Sequence, residues 1–123
     1  MRIAATGPVA VVLGAALEAT VGQALDAFAA GFEAMGALAR ASHPALYDGG
    51  WHPTAVCGGV GAAVAAARLL DLGREQERAA CGIALSRAAG FRSAFGSAGK
   101  SIQVGMAAAS GAAAARLAAA GAV

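Results

Sequence analysis

Hydrophobic residues recur along the chain at helical spacing, and no segment alternates between apolar and polar residues as a half-buried strand would. The pattern therefore predicts five helices. They run from about Pro8 to Glu18, from Thr20 towards Ser42, from about Thr54 to Leu72, from Arg74 to Ala89 and from Gly105 to Ala120. The predicted fold class is all-α, a compact antiparallel helical array without an internal repeat.

The predicted helix ends carry recognisable signals. Thr20 and Gln23 fit a capping box, in which the hydroxyl and the side-chain amide satisfy each other's backbone N–H groups. Gly73, Gly90 and Gly121 follow the last three helices and are the predicted stops. In the third and last helices small residues recur three or four positions apart, so we expect another helix to approach each of them closely.

Two loops hold most of the chemically useful side chains. Ser42–Thr54 contains two prolines, a Gly-Gly pair, the only Trp and Tyr, and both histidines, His43 and His52. Phe91–Val104 contains Lys100, the single lysine beside eight arginines. Functional groups concentrated in loops indicate a site. We expect the loops to meet at one end of the array and to bring His52 and Lys100 together in a partly apolar pocket.

The composition narrows the class of protein. The chain is 59% hydrophobic but only 5% aromatic and 13% charged, because much of the apolar fraction is alanine. Such low charge indicates that part of the surface is covered by another chain or domain, or by a membrane. A net charge of +2 with scattered arginines argues against nucleic acid as a partner.

Hydropathy and cysteine usage suggest a compartment. Every apolar stretch is short or broken by Gly, Pro, His or Ser, so we expect neither a membrane span nor a cleaved signal peptide. Cys57 and Cys81 lack the spacing of a metal site, and a site built from His43, His52 and Cys57 is poorly spaced. We expect reduced thiols, no metal and a cytoplasmic protein.

His52 and Lys100 each allow two interpretations from the residues alone. A histidine just before a helix can act as a neutral acid or base or bind an anion, but it can also simply cap the helix. A lysine in a Gly-rich loop can bind a carboxylate or transfer a proton, or it can be an ordinary solvated side chain. Gly99–Ser101 matches only part of a phosphate loop and follows a helix rather than a strand, which argues against a nucleotide site.

Several ordered segments together resemble the MmgE/PrpD family, which includes 2-methylcitrate dehydratase and cis-aconitate decarboxylase. The segments are Gly31–Glu33, Gly50–Thr54 with Gly58, Gly61–Leu72, Gly82–Gly90 and Lys100–Gly121. The resemblance implies a lyase that dehydrates or decarboxylates a small tricarboxylate without a cofactor, usually as a homodimer. It also implies that residues 1–123 are part of the large helical domain, without its N-terminal helices and the C-terminal lid domain.

The resemblance also implies roles for three residues. His52 and Lys100 would be catalytic and would bind substrate, His52 by proton transfer or carboxylate contact and Lys100 by carboxylate binding and charge stabilisation. Gln103 would bind substrate where the family commonly has histidine, a departure that weakens the expected site. The resemblance thus implies a truncated lyase that is active only if the missing parts are supplied. The alternative is a small Ala/Gly-rich helical interaction or membrane-associated protein without enzymatic activity.

Overall fold

The computed structural model describes residues 19–123 of the protein. The predicted first helix, Pro8 to Glu18, lies outside the described residues. The helices are α1 (Val21–Ser42), α2 (Ala45–Asp48), α3 (Pro53–Leu69), α4 (Arg74–Ser86) and α5 (Gly99–Ala119), with a 3₁₀ turn at Arg92–Ala94. Within residues 19–123 the only β-type pairing is an isolated bridge between Trp51 and Phe91. The predicted all-α fold is confirmed.

Helix α1 begins with the predicted capping box. The Gln23 amide donates to Thr20 Oγ1 over 3.2 Å, and the Thr20 amide donates to Gln23 Oε1 over 2.9 Å. Both bonds satisfy N–H groups that have no partner inside the helix. The helix buries one residue in each turn, and apolar side chains such as Leu25 and Phe32 remain exposed. The buried residues are Ala27, Gly31, Met35 and Ala39.

Helix α3 forms the centre of the fold and packs against α1, α4 and α5. Apart from Val56, every residue from Ala55 to Ala67 is buried. The closest crossing is at Gly111 of α5, where a Cβ atom would collide with the carbonyl oxygen of Gly59 and lie 2.7 Å from the amide nitrogen of Ala63. Glycine is needed at this crossing because backbone fills the space, as the spacing of small residues predicts.

Helix α3 does not end as the sequence suggests, and the prediction that Gly73 stops it is wrong. Asp71 adopts the left-handed conformation, with a φ of 51°. The Leu72 amide donates to the Ala67 carbonyl and the Asp71 amide to the Arg68 carbonyl, which together form a Schellman motif. Gly73 instead precedes α4, where its amide donates to Gln76 Oε1 over 3.2 Å.

The other predicted stops have different outcomes. Gly121 ends α5 as predicted, with a φ of 100°, and the Ala122 amide donates to the Leu117 carbonyl. Helix α4 ends at Ser86, three residues before the predicted Ala89, and Gly90 lies in the segment beyond it. Gly90 therefore does not end a helix. It lies instead at a point of close packing.

Helix α5 begins at Gly99, so the prediction that it starts at Gly105 and that a loop extends to Val104 is wrong. Gly105 is exposed, and a Cβ atom there would meet nothing within 4 Å in the described part of the chain. An exposed helical glycine costs about 1 kcal/mol relative to alanine, which the packing of α5 against α3 and α4 outweighs. Lys100 and Gln103 consequently lie in the first turns of a helix.

Within residues 19–123, none of the helices has the combination of length and hydropathy that crossing a bilayer requires.

Candidate active site at the start of helix α3

The segments that precede α3 and α5 are joined by backbone hydrogen bonds. The His52 amide donates to the Gly90 carbonyl over 3.0 Å, and the Arg92 amide donates to the Gly50 carbonyl over 2.8 Å. Between these bonds the rings of Trp51 and Phe91 stack with centroids 5.0 Å apart. The predicted meeting of the two loops at one end of the array is therefore observed.

Arg92 also holds together the two segments that precede α3 and α5. Its guanidinium donates to the Tyr47 carbonyl over 2.9 Å and lies 4.4 Å from the centroid of the Tyr47 ring. A cation above an aromatic face is attracted by the ring quadrupole. Tyr47 and Trp51, the two aromatic residues of the first loop, thus anchor the second loop.

His52 is buried, with 3% of its surface exposed, and it precedes the first residue of α3. Its Nδ1 atom lies 2.8 Å from Gln103 Oε1, and its ring meets Phe95 edge to face with centroids 4.8 Å apart. The Gln103 Nε2 atom donates to the carbonyl of Phe91 over 3.3 Å. Gln103 therefore holds the imidazole of His52 in place from the second turn of α5.

This arrangement fixes the tautomer of neutral His52. The Phe91 carbonyl can only accept, so the amide nitrogen of Gln103 must face it and the amide oxygen must face the imidazole. An oxygen acceptor requires Nδ1 to carry the proton, which leaves the lone pair on Nε2. Ser110 Oγ is the only fully buried side-chain polar atom without a partner among residues 19–123. Within residues 19–123 no hydrogen-bond partner engages Nε2 of His52, so its lone pair is not used by this part of the chain.

Gly90 makes room for the pair formed by His52 and Gln103. Its φ is +124°, a conformation that L-residues with side chains rarely adopt. A Cβ atom at this position would lie 2.8 Å from Ala55 Cβ and 3.3 Å from Gln103 Oε1. A side chain here would push against both α3 and the amide that holds the imidazole.

Lys100 is exposed, and Phe95 links it to His52. The Lys100 ammonium lies 4.7 Å from the Phe95 ring centroid. His52 and Lys100 both lie against one ring, so they are separated by no more than the sum of their two distances from its centroid. The sequence interpretation did not single out Phe95, because an aromatic residue five positions before a lysine carries little information by itself.

A cleft of about 160 Å³ lies beside this site, between the start of α3, the end of α4 and the middle of α5. Its lining residues are Ala55, Gly59, Ala84, Arg87, Ala88, Ala89, Gly90, Gln103, Met106, Ala107 and Ser110. Gln103 separates the cleft from the imidazole. His52 and Lys100 are not among the lining residues, so this cleft is not the shared pocket expected from the sequence.

The remaining residues with metal-binding or nucleophilic side chains are scattered. His43 is exposed at the end of α1, and Cys57 and Cys81 are free thiols. Burial raises the pKa of Cys57, against a smaller opposing effect of a hydrogen bond with Ser42. Within residues 19–123, no three His, Cys, Asp or Glu side chains lie close enough together to hold a metal ion.

These observations define an all-α domain in which the buried His52 and the ammonium of Lys100 contact one aromatic ring, while the amide of Gln103 holds the imidazole. A sequence model of the MmgE/PrpD N-terminal domain matches residues 3–123. The protein therefore belongs to the MmgE/PrpD family. A comparison with curated proteins finds no match. The family match does not favour the alternative of a helical interaction protein without enzymatic activity.

Proposed function

We propose that this protein contributes to a lyase site that dehydrates or decarboxylates a small tricarboxylate, with His52 transferring a proton and Lys100 binding a carboxylate. Family membership supports the reaction class. The observation that carries the assignment of residues is the contact of both side chains with Phe95, at the end of the fold where the two loops meet.

The fixed tautomer of His52 suits it to proton transfer. Loss of water requires a proton to leave carbon and another to reach the departing hydroxyl, and loss of carbon dioxide requires a proton to reach the carbanion that remains. With Nδ1–H donated to Gln103, the Nε2 lone pair can take up one of these protons and return it. Gln103 acts through the imidazole, since both ends of its amide are engaged by the protein.

The position of Lys100 suits it to anion binding. Its ammonium is exposed above Phe95, where a ligand can reach it. It is the second residue of α5, where the partial positive charge of the helix N-terminus disfavours a cation and favours an anion. A bound carboxylate would relieve this unfavourable placement, and its charge-assisted hydrogen bond would hold the acid beside His52.

Binding of citrate tests the role of Lys100. We expect Lys100→Met to weaken the binding of citrate at least tenfold, because a hydrogen bond between charged groups contributes about 1.5–3 kcal/mol. Arg116→Met removes an exposed cation from the last turn of the same helix and is the matched control, which should bind as the wild type does. Isothermal titration calorimetry measures both. Equal binding by all three proteins, or none by any, rejects Lys100 as a ligand.

Exchange of substrate hydrogen tests the role of His52. A base that removes a proton from carbon also catalyses replacement of that hydrogen by deuterium from D₂O, which NMR detects. We expect His52→Asn to retain acid binding and to slow exchange by roughly 10²–10⁴, the usual contribution of a general base. Exchange at the wild-type rate in this variant would exclude His52 as the base.

A further inference from the structure

We propose that the cleft beside Gln103 is a binding site for a carboxylate group attached to a short alkyl chain, held by Arg87, by Ser110 and by the backbone amides of Ala89 and Gly90. The cleft is not lined by His52 or Lys100. The proposal therefore goes beyond the lyase site and does not depend on it.

Ser110 supplies the first observation. Its Oγ atom is fully buried and has no hydrogen-bond partner within residues 19–123. Two other helical serines donate to nearby carbonyls, Ser42 to that of Leu38 over 2.8 Å and Ser86 to that of Ile83 over 2.7 Å. Buried hydroxyls are rarely left unpaired, because such a group loses its hydrogen bonds to water without replacement. An acceptor inside the cleft would satisfy Ser110.

The segment after α4 supplies further donors. The amides of Arg87 and Ala88 close the helix on the carbonyls of Ala84 and Leu85. The next two amides, of Ala89 and Gly90, find no acceptor in the part of the chain that the structure describes. Both residues line the cleft. Unpaired N–H groups beside a cavity favour an anionic or other acceptor ligand.

Arg87 supplies the charge. Arg87 is one of the residues that line the cleft, and it forms no ion pair within residues 19–123, where the ion pair present is between Arg68 and Glu77. The planar guanidinium presents a fork of N–H donors that matches the two oxygens of a carboxylate. Gln103 also lines the cleft, and its Oε1 atom is already engaged by His52. Arg87, Ser110 and the amides of Ala89 and Gly90 thus remain available as hydrogen-bond donors at the cleft.

The size and the apolar walls of the cleft select the rest of the ligand. A volume of about 160 Å³ has room for about five waters and lies below the usual range for drug-sized ligands. Met106, Ala84 and Ala107 provide apolar surface beside the donors. A short monocarboxylic acid, or one carboxylate arm of a larger acid, fits both features better than an inorganic anion does.

Titration of the ¹⁵N-labelled chain with butyrate tests the site directly. We expect the amide resonances of Ala89 and Gly90 to shift in a saturable way. Butanol, which has the same alkyl chain without the charge, should produce no saturable shift. Arg87→Gln should weaken butyrate binding tenfold or more, and Ser110→Ala about threefold or more, the range for losing a charged and a neutral hydrogen bond. Phosphate should bind more weakly than butyrate.

Further variants distinguish binding of butyrate by these residues from a purely structural role. Arg87→Lys keeps the charge but loses the fork, so its affinity should fall between those of the wild type and Arg87→Gln. Arg116→Gln removes an exposed cation that lies in the last turn of α5 and should bind butyrate as the wild type does. Arg87 could instead only offset the partial negative charge at the end of α4. In that case Arg87→Gln would lower stability, measured by circular dichroism, without changing binding.

Four results would overturn the proposal. They are the absence of saturable shifts with butyrate, equal affinity for butanol, unchanged affinity in folded Arg87→Gln, and tighter binding of phosphate than of butyrate.

Discussion

Alanine substitution of two glycines in α5 tests whether the close crossing of α3 and α5 stabilises the fold. Gly111 and Gly105 both lie inside α5. A Cβ atom at Gly105 meets no atom of residues 19–123 within 4 Å. One at Gly111 collides with the carbonyl oxygen of Gly59 and lies 2.5 Å from Ala62 Cβ. The two substitutions are chemically identical and differ only in what the new methyl group touches.

The expected magnitudes follow from this difference. Replacing a helical glycine by alanine stabilises the helix by about 0.5–1 kcal/mol, because the unfolded chain loses freedom. Gly105→Ala should show this gain. At Gly111 the helices must separate to restore contacts of roughly 3.5–4 Å, and overpacking costs about 1–3 kcal/mol. Because the obstructing atoms include backbone, which cannot rotate away, we expect the upper end of this range.

The difference between the two variants isolates the overpacking cost, since the propensity gain is common to both. We expect Gly111→Ala to be less stable than Gly105→Ala by about 3 kcal/mol, the top of the overpacking range. Urea unfolding followed by far-UV circular dichroism measures this difference, provided that both variants unfold with the wild-type dependence on denaturant. Equal stability of the two variants would refute the interpretation of Gly111 as a required close contact.

Three further predictions follow from single positions. Gly90→Ala should destabilise the fold by about 2 kcal/mol, through its positive φ and its contact with Ala55 Cβ, and should perturb the His52 ring resonances in NMR spectra; unchanged resonances would contradict the described role. Asp71→Gly should raise the free energy of urea unfolding by about 1 kcal/mol, because glycine adopts a left-handed φ without strain. Burial raises the pKa of Cys57 and, with a smaller effect of Glu77, that of Cys81. The unfolded thiols therefore ionise first, and stability should fall as the pH rises above about 8.5, measured by urea unfolding beside a variant with both cysteines replaced by alanine.

The fold class and most helices could be predicted from the sequence, because apolar periodicity and the Thr20 capping box are local signals. The start of α5 could not, because Gly99 and Gly105 both indicate a loop when tertiary packing is unknown. The predicted end of α3 was wrong for a related reason. Gly73 is the obvious stop, whereas the left-handed position is occupied by Asp71, whose short polar side chain tolerates it.

Some residues of the candidate site could likewise be predicted from the sequence, and others could not. His52 and Lys100 could be singled out from their unusual surroundings in the sequence, and the meeting of their loops could be expected. Phe95, which lies between them, could not be identified, because its role depends on contacts with residues 43 positions before it and five after it. The donors at Arg87 and Ser110 were also missed, since they come together only when α4 and α5 pack on α3.

The make-up of α3 has a consequence for how the imidazole can move. From Ala55 to Ala67 the helix contains only glycine, alanine, valine and one cysteine, so it has few rotatable side chains with which to absorb a displacement. Its neighbours contact it largely through methyl groups and backbone. Any shift of α3 must therefore be a translation or rotation of the whole helix, and His52 at its N-terminus would move with it.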